Sequence, residues 1–103
     1  MPLANIAAKP SEAQAKAFNF SHYQDHLEIV QAINTQTGLR LNVYPIDPGA
    51  GGEQWKQMHQ RFHDDMNAAL FLPQSHDFTG ALDATWYDNN WREHSAARAK
   101  LRI

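Results

Sequence analysis

The chain has 103 residues and 11.7 kDa, one domain's worth, with 9 Lys+Arg against 11 Asp+Glu and a formal net charge of -2. That balance argues against electrostatic binding to nucleic acid or an anionic membrane, and the lack of cysteine excludes disulfides, thiolate catalysis and Cys-ligated metal sites. No run approaches the ~18 apolar residues that a membrane span needs.

Residues 1–17 read as an N-terminal arm that can include the start of the first helix. Residues 1–10 hold two prolines and no periodicity, and show neither a charged n-region nor a long apolar stretch of the secretory type. Such an arm is either disordered or laid across a partner. Residues 18–103 read as one domain of three helices.

The helices are three copies of one pattern. Phe18, Trp55 and Trp86 begin it, and four residues on stand His22, His59 and Asn90. Four further come His26, His63 and His94, then Ile29, Met66 and Ala97, and the copies close on Ile33, Leu70 and Leu101. At the α-helical rotation these positions lie within an arc of roughly 80°, so the histidines sit on the apolar front of each helix. Lys56, Gln60, Arg61, Asp64 and Asp65 form the wet back of the second copy.

Helix 1 ends near residues 35–37 with Gly38 behind it. Ser11 opens it as a helix over 11–35, whereas Asn19 or Ser21 would open a shorter one. Leu39–Tyr44 alternates like a strand but has no second strand to pair with, so it reads as an extended connection packed on the bundle, with an edge that a neighbour can take. Helix 2 spans about 53–70, stopped by Pro73. Residues 73–80 form a loop anchored by Phe78 and Leu82, with His76 as a solvated loop residue. Asp83 caps helix 3, which runs to about 101. The fold class is therefore all-α: a small three-helix bundle with an extended N-terminal arm and an extended helix 1–helix 2 connection.

His22, His26, His59, His63, Asn90 and His94 read first as a polar core network. Neutral imidazoles chain a donor to an acceptor from helix to helix, which fixes register among three similar helices. The alternative is a transition-metal site, since pairs at i and i+4 face one way and an all-nitrogen set suits Zn, Ni, Cu or Fe. A third reading makes them half-exposed interface residues. Asp25 and Glu93 flank the arc and belong either to the bundle's rim or to a neighbouring imidazole. Arg98, Lys100 and Arg102 suit the C-terminal dipole of helix 3. No nucleophile, base and oxyanion site converge, because Ser21 and His22 are adjacent on a helix and do not face each other, so no enzyme is expected. Tyr23, Tyr87 and Trp91 lie off the histidine arc and are candidates for a protein interface, or else lean on the 39–48 connection, whose own Tyr44 is a further interface candidate.

The set His22-x3-His26-x2-Ile29, Trp55-x3-His59-x3-His63-Asp64-Asp65-Met66-Asn67 and Trp86-x3-Asn90-x2-Glu93-His94, closing on Leu101-Arg102-Ile103, resembles a family of small proteins of tailed bacteriophages and prophages. The resemblance covers roughly residues 18–103, apart from the 39–52 connection. It implies a virion-associated or minor structural protein without catalysis, made in the host bacterial cytoplasm and docked on head, connector or tail proteins. It also implies multiple copies in a symmetric assembly, with no cofactor expected outside the metal alternative.

Overall fold

The computed structural model describes residues 3, 10–43 and 52–103. Its helices are α1 (Glu12–Thr37), α2 (Glu53–Ala69) and α3 (Ala84–Leu101), an all-α three-helix bundle with no strand among the described residues. Tyr44 and most of the expected arm lie outside these residues. Leu3, inside that arm, is buried.

Of the two possible starts for the first helix, the long one is found. Ser11 forms a capping box in which the Gln14 N–H donates to Ser11 Oγ at 3.2 Å and the Ser11 N–H donates to Gln14 Oε1 at 2.9 Å. The arm therefore ends at Ser11, and residues 12–17 are helix. Gly38 closes α1 in the left-handed conformation at φ 77°, which a glycine adopts without a Cβ clash. The strand-like segment forms no strand, because its backbone finds a partner on α1. Asn34 Nδ2 donates to the Leu41 carbonyl at 3.3 Å, and the Leu41 N–H donates to Asn34 Oδ1 at 2.9 Å. Leu41 and Val43 then pack against the core.

α2 ends ahead of Pro73, through Leu70 and a left-handed Phe71 at φ 56°. Asp83 caps α3 as expected, accepting from the Trp86 N–H at 2.9 Å.

The buried clusters show the helix direction. Phe18, Trp55 and Trp86, which open the three copies, share one buried cluster with Phe78, Tyr87 and Leu3. Ile33, Leu70 and Leu101, which close them, share another with Ile29, Val30, Phe62, Met66 and Ala97. All three helices therefore run the same way. Parallel neighbours require each connection to return along the bundle, which fits the fifteen residues between α1 and α2 and the fourteen between α2 and α3. The histidines occupy the layer between the two apolar clusters.

Candidate metal centre

His22, His26, His59, His63, Asn90 and His94 are all buried. One ring nitrogen from each of His22, His26, His63 and His94 lies within 4.8 Å of the other three. His94 Nε2 stands 3.2 Å from His22 Nε2 and 3.1 Å from His26 Nε2. α1 thus contributes both of its histidines, and α2 and α3 one each. The two remaining slots pair with each other: the His59 Nε2–H donates to Asn90 Oδ1 at 2.9 Å, while that nitrogen lies 3.3 Å from His22 Nε2.

Both flanking carboxylates bond to imidazoles, and neither lies at the rim. The His94 Nδ1–H donates to Asp25 Oδ2 at 2.6 Å, and the His63 Nδ1–H donates to Glu93 Oε1 at 3.0 Å. Asp25 is itself held by Arg98 Nη1 at 2.7 Å, and Glu93 accepts from Asn67 Nδ2 at 2.9 Å. Arg98 and Asn67 stand four residues beyond His94 and His63, one turn along the same helix face. That spacing was the available signal for both roles, and sequence reasoning gave Arg98 only the helix dipole.

His76 is a solvent-exposed loop residue as expected, but it has a further role. Its ring is half-exposed, yet its backbone N–H donates to Glu93 Oε2 at 2.7 Å and its Nδ1–H to the same oxygen at 2.5 Å. Gln60 holds the loop in place, donating to the His76 carbonyl at 2.9 Å and accepting from the Phe78 N–H at 2.7 Å. His76 is therefore part of the support behind His63 and not a free surface residue.

The surroundings are dry and aromatic. Trp55 and Trp86 stack on His59 at ring distances of 5.1 and 5.0 Å, and Phe62 stacks on His26 at 3.8 Å. Burial, reinforced by neighbouring imidazoles, pushes His22, His26 and His59 well below the ordinary histidine range. Burial likewise lowers His63 to about 4, even though its bond to Glu93 works the other way. Burial alone would raise Glu93, but the bonds from His63 and His76 hold it down to about 2. His22, His26, His59 and His63 are therefore held neutral, and the Glu93 carboxylate behind His63 is held ionised.

Hydrogen-bond contacts join His22, His26, His59, Asn90 and His94, as the network reading expects, but some buried atoms of the layer are left over. A neutral imidazole that donates from Nδ1 keeps a lone pair on Nε2. His63 Nε2 has no hydrogen-bond partner among the described residues. His59 Nδ1, Asn67 Oδ1 and Asn90 Nδ2 are buried and unpartnered as well. A tetrahedral ion with metal–nitrogen distances of 2.0–2.1 Å spaces its ligand nitrogens about 3.3–3.4 Å apart. The 3.1 and 3.2 Å separations around His94 already approach that spacing. Were an ion held there, the carboxylates behind His94 and His63 would orient the ligating imidazoles and offset the cation's charge.

Among the proposed interface aromatics, Tyr87 is buried in the cluster with Phe18 and Trp86, so it is not available to a partner. Tyr23 and Trp91 are half-buried. Comparisons with protein families, curated proteins and solved structures find no match to this chain.

Proposed function

We propose that the protein is a metal-binding helical domain whose ion is held by His22, His26, His63 and His94, with Zn2+ as the occupant that best fits. The observation that carries this reading is the convergence of four buried ring nitrogens from three helices within 4.8 Å. Four imidazoles fill a tetrahedral ion's positions, as structural sites do, and leave none for a substrate. The ion's role is then to join three helices of a domain whose size gives it a limited core. Titration with Zn2+ against a chromophoric chelator tests the reading. One equivalent is expected, with affinity reduced at least about 100-fold in His26→Ala and His94→Ala. Affinity indifferent to both substitutions overturns it.

Docking within a tailed-phage particle is a second reading, supported by the resemblance and by one surface feature. Phe71 is 91% exposed while held at φ 56°, a conformation unfavourable for a bulky residue. An exposed aromatic on a rigid corner suits a protein contact. Mass spectrometry of purified particles tests this reading, and absence of the chain from them contradicts it.

A further inference from the structure

The repeat puts histidine at 22 and 59 but asparagine at 90, and the proposed metal site uses only His22 of these three. His59 is left out although it stands beside the ligands. Its Nε2 lies 3.3 Å from His22 Nε2, the spacing of two nitrogens on one tetrahedral ion. Trp55 and Trp86 stack on its ring, and Phe78 meets it edge-on at 5.0 Å, so the imidazole is fixed where it stands. Position therefore does not keep His59 from ligating.

Its proton does. His59 Nδ1 is buried without a partner, so a proton there would be an orphaned donor, which is costly. On Nε2 the same proton has an acceptor, Asn90 Oδ1 at 2.9 Å. Asn90 is fully buried and has no route to solvent. A ring nitrogen that carries a proton has no lone pair for a metal. A third histidine in place of Asn90 would remove this oxygen from the layer.

We infer that Asn90 sets the coordination number of the metal site: by holding the His59 proton on Nε2 it denies the ion a fifth nitrogen. This rests on the metal-binding reading above. Asn90 is a positioning residue, acting on the ion through His59, and it selects for ions that accept a tetrahedron, Zn2+ and Co2+. Such a device has a use here. An all-imidazole set gives Zn2+ no advantage over Cu2+ in intrinsic affinity, so geometry has to discriminate. Ni2+ and Cu2+ prefer tetragonal sites, which a fifth nitrogen within reach would help to complete.

Co2+ absorption tests the proposal on the full chain, because a four-coordinate Co2+ absorbs visible light far more strongly than a five- or six-coordinate one. The parent is expected to show the strong bands. Asn90→Leu removes the acceptor at similar volume. It should weaken the bands and raise the Ni2+-to-Zn2+ affinity ratio at least about tenfold. Adding His59→Phe to Asn90→Leu should restore both readouts, a pattern that lost packing alone does not produce. A further measurement needs no variant: 15N spectra of the Zn2+-loaded parent should find the His59 proton on Nε2. Weak bands in the parent mean that His59 or Asn90 ligates, and they overturn the proposal. So does a proton on Nδ1, or Asn90→Leu with the parent's bands and affinity ratio. Each of these outcomes leaves the metal-binding reading standing. Lack of any Co2+ or Zn2+ uptake by the parent contradicts that reading itself, and this proposal with it.

Discussion

At the scale of single residues, proton positions decide which ring nitrogens face inward. His94 and His63 each spend their N–H on a buried carboxylate and direct a lone pair inward. Removing the carboxylate charge while keeping its shape should weaken this orientation. Asp25→Asn and Glu93→Gln are therefore expected to lower metal affinity about 10–100-fold in a chelator-competition titration, and an unchanged affinity contradicts their role. Acid sensitivity follows from the same burial. His63 titrates at about 4 when folded, against an ordinary value of 6.5. Above pH 6.5 it is neutral in both states and its full contribution is present. As pH falls from 6.5 toward 4 the unfolded chain takes up a proton that the folded one refuses, so stability falls across that window. His22, His26 and His59 push in the same direction. The metal-free protein is expected to lose at least about 2 kcal/mol between pH 7 and pH 5 in denaturant titrations, and a flat profile contradicts the buried neutral layer.

At the scale of elements, the ends of the helices carry separable contributions. Ser11→Ala should cost about 1 kcal/mol by thermal or denaturant unfolding, because it removes one side of the capping box. Phe71→Gly should stabilise by about 0.5–1 kcal/mol, since glycine takes the left-handed conformation without a Cβ penalty and the exposed ring contributes no burial. Most of this level was legible in the sequence. Apolar spacing located all three helices, and Gly38 and Asp83 marked boundaries that the structure retains. The start of α1 was ambiguous because Ser11, Asn19 and Ser21 all have capping side chains, and only the Gln14 reciprocal bond separates them. Helix direction was not apparent from the repeat, since equal spacing on each helix holds for parallel and antiparallel neighbours alike. For the site, the ring positions were visible and the proton accounting was not. Which nitrogen faces inward depends on Asp25 and Glu93, whose partners stand 69 and 30 residues away. The bond from His76 to Glu93 was not foreseen because nothing local in residues 73–80 signals a contact with α3. Tyr87 was misread because helix-wheel position alone does not show that Phe18 and Trp86 close over it.

At the scale of the whole molecule, three parallel helices are joined by two long returns, and their facing layer is polar. Such a layer contributes little hydrophobic stabilisation, and its unpartnered atoms cost free energy on burial. On the proposed metal-binding reading, an ion held by α1, α2 and α3 together would cross-link that layer and couple binding to folding. Elemental analysis of protein purified without a metal-affinity tag tests this most directly. About one equivalent of a transition metal per chain, zinc foremost, is the predicted result, and less than about a tenth of an equivalent would contradict it.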